Sequence, residues 1–210
     1  NPNCTTIQMV VALKAIEQLS HIKTVHVSTY QAASGAGAAA MDELYEQYRQ
    51  VLANEPVTVE KFAYQLAFNL IPQIDVFTEN GYTKEEEKMI NETRKILKRP
   101  DLKITATTVR VPVMNAHSES INVEFEKDFT LDELKNKLKH SPGVIVEDNP
   151  KIEDYPLAIN ASGHDEVFVG RIRRDESVTS GINLWVVADN IRKGAASNAI
   201  QIVEKLMELN

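Results

Sequence analysis

Residues 103–126 read KITATTVRVPVMNAHSESINVEFE. Two stretches within this segment, Lys103–Val113 and Ser118–Glu126, are rich in β-branched residues that alternate with other side chains. This alternation is typical of strands that pack one face against a core. The polar cluster around His117 separates the two stretches. The segment therefore predicts two strands joined by a short connection.

Further strands and helices lie on both sides of this segment. Strands are predicted at Ile22–Tyr30, Gln65–Ile71, Val144–Glu147, Val167–Arg174 and Ile182–Ala188. Helices are predicted at about Thr5–Leu19, Met41–Leu52, Lys84–Lys98, Thr130–His140 and Ile191–Leu209, with capping boxes at Thr83/Glu86 and Thr130/Glu133. Strands with short connections and interspersed helices predict an α+β fold, in which a mixed, largely antiparallel sheet is covered by helices on one side. No repeat or long linker divides the chain, so residues 1–210 are predicted to form a single domain.

The composition sets limits on the class of protein. The 210 residues are 43% hydrophobic and 25% charged, which is sufficient for a buried core. The net charge of −7 provides no basic surface for nucleic acid or an anionic membrane. No apolar run approaches the roughly 18 residues of a membrane span, and no signal peptide is visible. We therefore expect a cytoplasmic protein with neither a nucleic-acid nor a membrane partner.

The single cysteine, Cys4, lies where the first helix is expected to begin. It excludes an internal disulfide framework and a Cys-rich zinc site, and no other metal-ligand spacing is present. Asn3 is a suitable N-cap for the helix. Because unpaired N–H groups and the helix dipole favour a thiolate, this position predicts a lowered thiol pKa and rapid labelling by iodoacetamide. A nucleophile and a buried structural cysteine both remain compatible with it.

Two polar residues interrupt the segment of residues 103–126. His117 is either a neutral imidazole that faces a site or a hydrogen-bonded turn residue. Arg110 is either a buried cation that requires an anion or an edge-strand residue that points to water, as nearby Pro112 would allow, and the residues alone do not decide between the two. Gly35 and Gly37 form a Gly-x-Gly turn between a strand and a helix, which could bring backbone N–H groups to a phosphate or could simply pack tightly.

Eight segments resemble the motifs of one known family, in the same order and along essentially the whole chain. They are NPNCTT (1–6), VSTYQAASGAG (27–37), FNLIPQI (68–74), EEEKM (85–89), VRVPV (109–113), AHSES (116–120), GRIR (170–173) and WVVADN (185–190). The family is that of the aspartate-semialdehyde dehydrogenases, notably the Gram-positive type.

The resemblance implies NADPH-dependent reduction of β-aspartyl phosphate to aspartate semialdehyde through a cysteine thioester, on the route to lysine, methionine and threonine. It implies a catalytic and dimerisation domain like the C-terminal domain of glyceraldehyde-3-phosphate dehydrogenase-type enzymes, in a homodimer or homotetramer. The Rossmann NADP-binding domain expected before residue 1 is absent, so the chain would hold only the nicotinamide end of the cofactor. The stretch 54–65 also looks shorter than in the family.

The resemblance also implies roles for individual residues. The catalytic residues would be Cys4 as nucleophile, His117 as general acid/base and Gln31 as the group that orients the substrate. The substrate would be bound by Arg110 at its α-carboxylate, Glu85 at its amino group, Lys88 at its phosphate, and Asn3. The nicotinamide end of the cofactor would lie near Ser34, Gly35 and Asn190.

Three alternatives remain at this point. An N-acetyl-γ-glutamyl-phosphate reductase shares the cysteine and histidine chemistry but acts on a substrate without a free amino group. A non-catalytic oligomerisation module would use the strands only for assembly. A cysteine/histidine hydrolase would need an orienting residue and oxyanion donors that the sequence does not reveal.

Overall fold

The centre of the computed structural model, which describes residues 1–209, is a sheet of six strands. The strands are β1 (Ile22–Gln31), β2 (Lys103–Arg110), β3 (His117–Phe125), β4 (Val144–Val146), β5 (Val167–Arg174) and β6 (Gly181–Ala188). Their order across the sheet is β2-β1-β3-β6-β5-β4. Three of the five neighbouring pairs are antiparallel, and the β1/β2 and β4/β5 pairs are parallel. The prediction of a mixed, largely antiparallel sheet is confirmed.

Six α-helices accompany the sheet. They are α1 (Cys4–Ile16), α2 (Ala38–Leu52), α3 (Lys84–Leu97), α4 (Leu131–Lys139), α5 (Ala158–Ala161) and α6 (Ser197–Glu208). The two predicted capping boxes are present at the N-termini of α3 and α4, where each threonine side chain accepts from the glutamate N–H and each glutamate side chain accepts from the threonine N–H. Because both caps are encoded within four residues, the sequence predicts these helix starts well.

The main core lies between one face of the sheet and helices α1, α3 and α4. Leu13 of α1, Leu134 of α4 and Ile121 of β3 are fully buried there. The opposite face is half-exposed over β1 and β3, and the short helix α5 packs against β6 and, through Ala161, against Phe168 of β5. The helices are therefore mainly, but not solely, on one side. Within residues 1–209, no helix combines the length and apolar composition that crossing a bilayer requires.

Three predicted elements differ from the structure. Residues 65–71 do not form a strand: Phe68 has a left-handed backbone with φ 61°, and the only bridge made by the segment joins Ile71 to Arg110. Strand β2 ends at Arg110 instead of continuing through Pro112, whose ring nitrogen has no hydrogen to donate to a ladder. The last helix begins with a π-helical turn at residues 192–196, and the apolar residues of α6 are exposed.

Candidate active site

Helix α1 begins at Cys4, as predicted, because Asn3 caps it. The Asn3 Oδ1 accepts from the backbone N–H groups of Thr5 and Thr6 at 3.1 and 3.2 Å. The backbone N–H of Asn3 donates to Glu92 on α3 at 2.9 Å. The first turn of α1 is therefore fixed both by its own cap and by the neighbouring helix.

The environment of Cys4 does not favour a thiolate in the absence of substrate. Burial, and then the negative charge of Glu85, raise the pKa of the Cys4 thiol to about 12, against the smaller lowering effects of the Thr5 backbone N–H and Arg110. The prediction of a lowered pKa is therefore wrong for this arrangement. The helix N-terminus acts as expected, but the loss of hydration outweighs it.

His117 is the first residue of β3 and is fully buried. The backbone N–H of Ala32 donates to its Nδ1 at 3.0 Å, so a neutral imidazole carries its proton on Nε2. Burial, and then the charge of Arg110, lower the pKa of His117 to about 3. Its Nε2 has no hydrogen-bond partner among the described residues. His117 therefore presents one unused N–H donor to the site.

Arg110 is buried, with 7% of its surface exposed, so the structure favours the buried cation over the solvent-facing edge arginine. It ends β2 opposite Gln31, which ends β1, and its Nη1 donates to the Ala32 carbonyl at 2.6 Å. No carboxylate within residues 1–209 forms an ion pair with it. Burial lowers the pKa of Arg110, and the charge of Glu85 opposes this effect. A guanidinium stays protonated in proteins, so this buried cation requires an external anion.

Glu85, Asn3 and Gln31 form a polar wall beside Cys4. The Glu85 Oε1 accepts from Asn3 Nδ2 at 2.8 Å and from Gln31 Nε2 at 3.4 Å. Lys88 lies one helical turn further on, with its Nζ 3.7 Å from Glu85 Oε2 and 3.2 Å from Asp75 Oδ2. Glu85 is buried whereas Lys88 is largely exposed, so Lys88 lies at the rim.

Gly35 lies against the side chains of Arg110 and His117. A Cβ at this position would stand 2.9 Å from Arg110 Nη1 and 3.0 Å from His117 Nε2. The N–H groups of Gly35 and Gly37 donate to Ala32 and Ser34 within their own turn. These two N–H groups are thus not available to a phosphate, and the tight-packing interpretation of the Gly-x-Gly turn is the one that the geometry supports.

We expect Gly35→Ala to lower turnover by about tenfold to a hundredfold, because its methyl group would fill the space in front of His117 Nε2. The backbone of Gly35 does not require glycine, since its φ lies outside the left-handed region. Any loss of thermal stability should therefore come from the contacts of the methyl group with the buried His117 and Arg110 side chains, at about 1–3 kcal/mol. Steady-state kinetics and thermal unfolding test this, with Ala39→Ser on exposed neighbouring backbone as the control. Full activity of Gly35→Ala would contradict the placement of substrate beside it.

Ser34 and Asn190 lie together on the far side of Cys4. The Asn190 Oδ1 is 3.0 Å from both the Ser34 hydroxyl and the Ala116 backbone N–H, which donate to it. The Asn190 Nδ2 makes no described hydrogen bond and remains available as a donor. Sequence reasoning missed Gly194, where a Cβ would stand only 2.8 Å from the Cys4 Cβ. Its position in a π-helical turn gave no sequence signal.

Three further residues near the site were given no individual role by the sequence analysis. Glu92 holds Asn3, whereas Gln8 and Glu119 are buried between α1 and β3. Glu119 could have been found, because the period of two along a strand places it on the same face as His117. A glutamate on a face that is otherwise built of apolar core residues is a usable signal.

The cleft can bind a small anion at Arg110 and hold a carbonyl group between the thiol and the imidazole. Cys4 can attack the carbonyl carbon, and His117 Nε2 can donate to the oxygen as negative charge develops. The fold and the site thus define a class: α+β domains in which a cysteine at a helix N-terminus shares a site with a buried histidine and a buried arginine. In the absence of substrate, Cys4 is a neutral thiol, because its pKa is about 12.

Comparison with known proteins identifies the particular family. Residues 13–193 match the family model described as semialdehyde dehydrogenase, dimerisation domain. The chain is 56% identical over 209 residues to the aspartate-semialdehyde dehydrogenase of Aquifex aeolicus, covering 99% of this chain and 62% of that protein. The chain belongs to the semialdehyde dehydrogenase family, which confirms the resemblance inferred from its motifs.

Solved structures agree with this assignment. Aspartate-semialdehyde dehydrogenase II of Vibrio cholerae, complexed with ASA, matches with a TM-score of 0.96 and 47% identity over 99% of this chain and 61% of that one. The Candida albicans enzyme with NADP shares only 24% identity, with a TM-score of 0.71 over 98% of this chain and 56% of that one, and so shows the fold alone. The chain spans about 60% of the length of such relatives.

Proposed function

We propose that this chain is the catalytic and dimer-forming part of an aspartate-semialdehyde dehydrogenase. The enzyme would reduce L-β-aspartyl phosphate to L-aspartate 4-semialdehyde and release inorganic phosphate. Two neighbouring groups carry the proposal. The buried Arg110 guanidinium has no ion-pair partner among residues 1–209, and the Nε2–H of His117 beside it has no hydrogen-bond partner there. High identity to named members of the family supports the choice of substrate.

The substrate would be held at both of its charged ends. Arg110 would bind the α-carboxylate with two parallel N–H donors, while Glu85 would accept from the α-ammonium group. Gln31, which donates to Glu85 Oε1, and Asn3 would keep that carboxylate aimed at the ammonium group. Lys88, at the rim, would meet the phosphate after releasing Asp75.

Substrate binding would also activate Cys4. The negative charge of Glu85 is the second-largest cause of the raised thiol pKa. An ammonium group that pairs with Glu85 would offset that charge, so the pKa of Cys4 should fall when substrate binds. The thiolate would form only where the acyl carbon is already in place, which limits side reactions of the resting thiol.

Cys4 would then displace phosphate from the acyl carbon and form a thioester. His117, neutral and protonated on Nε2, would donate to the carbonyl oxygen when it becomes negative. This is electrophilic assistance by a neutral imidazole, and the Ala32 N–H on Nδ1 prevents the opposite tautomer. His117 would donate again to the negatively charged oxygen of the thiohemiacetal until the C–S bond breaks, which releases the aldehyde and a Cys4 thiolate that takes up a proton from solvent.

The residues present fit the nicotinamide end of NADP. The available Nδ2 of Asn190 can donate to a carboxamide oxygen, and Asn190 lies near Cys4, since both side chains border Gly194. Ser34 orients Asn190 by donating to its Oδ1. When bound, NADPH supplies the hydride that reduces the thioester. A nucleotide-binding domain outside these 210 residues would hold the rest of the cofactor.

The alternative substrate of this chemistry is an N-acetyl-γ-glutamyl phosphate. Its amide nitrogen carries no charge, so the buried Glu85 would keep only Lys88, 3.7 Å away at the rim, as a cationic neighbour. We expect the complete enzyme to turn over β-aspartyl phosphate at least about a hundredfold more efficiently, because only the free ammonium group of that substrate can pair with Glu85 inside the site. An NADPH-oxidation assay with both acyl phosphates tests this. Higher kcat/KM for the glutamyl compound would refute the proposed substrate.

The half-exposed face of the sheet is the surface through which we propose that the enzyme assembles as a homodimer or homotetramer. This is consistent with the dimerisation domain of its family. Light scattering of the purified protein tests the assembly, and a monomer at assay concentration would contradict it. We further propose a cytoplasmic enzyme whose partners are its substrate, phosphate and cofactor. A non-catalytic oligomerisation module would not require the polar side chains of Cys4, His117 and Arg110.

Glu85→Gln provides a direct test of how Cys4 is controlled. We expect resting Cys4 to react with iodoacetamide more slowly than a free thiol at neutral pH, because its pKa lies near 12 instead of 9.0. Removal of the Glu85 charge lowers that pKa, so the labelling rate should rise several-fold while the KM for substrate increases. Glu87→Gln, on the outer side of α3, is the control. An unchanged labelling rate in Glu85→Gln would contradict the activation argument.

A further inference from the structure

Glu119 is a fully buried carboxyl group for which the proposed chemistry has no use. It lies two residues after His117 and therefore on the same face of β3, opposite Thr29 of β1 and Val186 of β6. Its exposed fraction is 0%. Neither carboxyl oxygen has a hydrogen-bond partner among residues 1–209. An ionised carboxylate in this position would be strongly unfavourable.

Gln8 of α1 is the polar neighbour of Glu119. It lies one helical turn after Cys4 and is 1% exposed. Its Nε2 donates to the backbone carbonyl of His117 at 3.3 Å, whereas its Oε1 has no partner. The side chain of Gln8 therefore touches the strand of His117 from the helix of Cys4.

The buried polar atoms of Gln8 and Glu119 require one more hydrogen-bond donor than the two side chains provide when Glu119 is ionised. The Gln8 Oε1 and both Glu119 oxygens are acceptors without a partner among residues 1–209, and the Gln8 amide already donates to the His117 carbonyl. A proton on Glu119 would supply the missing donor. Burial raises the pKa of Glu119 well above its usual range, with the interaction with Gln8 opposing this effect. The neutral acid is thus the form that the site favours.

We propose that Glu119 is a neutral carboxylic acid that forms a two-hydrogen-bond pair with Gln8 and thereby fixes the spacing between Cys4 and His117. The Glu119 O–H would donate to Gln8 Oε1, and one Gln8 Nε2–H would donate to the other Glu119 oxygen. The second Nε2–H stays on the His117 carbonyl, so every buried polar atom of the pair is satisfied. Glu119 is a positioning residue, and this role rests on the proposed function of Cys4 and His117.

Neutrality of Glu119 also matters for the thiol. A negative charge on Glu119 raises the pKa of Cys4, adding to the effect of Glu85. Unlike Glu85, Glu119 lies behind the cleft and would not meet the substrate ammonium group. Its charge could not be offset by binding, so a proton held by the Gln8 pair removes a permanent obstacle to thiolate formation.

Infrared difference spectroscopy tests the protonation state without any turnover. The spectrum of the wild-type enzyme minus that of Glu119→Gln at neutral pH should contain the C=O stretch of a protonated carboxylic acid. Glu124→Gln, on the same strand but paired with Lys23 at the surface, should instead remove carboxylate bands. A wild-type spectrum in which Glu119 contributes carboxylate bands would overturn the proposal.

Kinetics test the positioning role. Glu119→Gln can form the same pair as an amide and should retain most of the turnover, whereas Glu119→Leu should lower kcat by about tenfold to a hundredfold. KM should change little, because Arg110 and Glu85 are untouched. Equal loss in both variants, or full activity of Glu119→Leu, would overturn the proposal. If Glu119→Leu does not fold, the infrared result and Glu119→Gln still decide.

These outcomes separate the pair from the proposed function. A wild-type enzyme that does not reduce β-aspartyl phosphate would refute the proposed function and leave the infrared result intact. An active wild-type enzyme with an ionised Glu119 would refute the acid–amide pair alone.

Discussion

Cys4→Ser is expected to lower the turnover of β-aspartyl phosphate by about four orders of magnitude or more, the scale of loss seen when a covalent nucleophile is removed. The serine hydroxyl is a far weaker nucleophile, and His117 could not deprotonate it. His117 carries its proton on Nε2 and accepts the Ala32 N–H on Nδ1, so neither ring nitrogen is free to act as a base. The loss should appear in kcat, with substrate binding at Arg110 preserved.

Mass spectrometry of the wild-type enzyme after rapid mixing with the acyl phosphate, without NADPH, should show an acyl adduct on Cys4. Cys4→Ser should show none and should unfold at about the wild-type temperature, because the hydroxyl fits the space of the thiol. Residual turnover above about a tenth of the wild-type rate would mean that hydride transfer proceeds without a thioester. The site would then be a binding cleft in which the thiol has no covalent role.

Local rules explain why parts of the site could be predicted from sequence. Asn3 caps α1 through its own side chain, so the start of the helix and the place of Cys4 follow from adjacent residues. The capping box of Thr83 and Glu86 likewise fixes the first turn of α3, on which Glu85 lies. Alternation along β3 places His117 on the covered face. In each case the deciding contacts are within a few residues of one another.

What could not be predicted depends on residues that are distant in the chain. The tautomer of His117 is set by Ala32, and the thiol pKa of Cys4 by burial and by Glu85. Residues 65–71 resembled a strand because they are apolar, but the Asn69 side chain bonds to neighbouring backbone and favours a turn. The N-terminus of α1 does lower the thiol pKa of Cys4, as the sequence predicted, but burial and Glu85 raise that pKa by more.

The exposed apolar residues of α6 also illustrate the limit of pattern reading. The spacing of Ile202 and Leu206 indicated one apolar stripe, and the stripe exists, but it lies on the outside of the part of the chain that the structure describes. Periodicity identifies a face that requires cover and does not identify what covers it. Relatives of this family are longer than the chain.

Arg110→Met is expected to lower kcat/KM for β-aspartyl phosphate by about a hundredfold to a thousandfold, mostly through KM, because the only buried lysine or arginine side chain among residues 1–209 would be lost. Arg110→Lys should recover little of the loss, since an ammonium group cannot make two parallel hydrogen bonds to a carboxylate. Arg110→Met should also raise the free energy of unfolding. Without substrate, Arg110 is a buried cation with no ion-pair partner, and its replacement by an apolar side chain of similar length removes that cost.

The opposite signs of the two effects make the prediction specific. The Ala32 carbonyl that receives Arg110 Nη1 also accepts from the Gly35 N–H, so Arg110→Met would not leave it unpaired. Arg94→Met on α3 is the matched control: Arg94 donates to the Leu102 carbonyl away from the cleft, and its loss should cost stability and spare KM. A destabilised Arg110→Met with unchanged KM would show that Arg110 serves the fold, and the anion that its burial demands would then have to be sought within the protein. If activity falls while stability rises, the arginine is kept at the expense of stability because the substrate carboxylate completes the site.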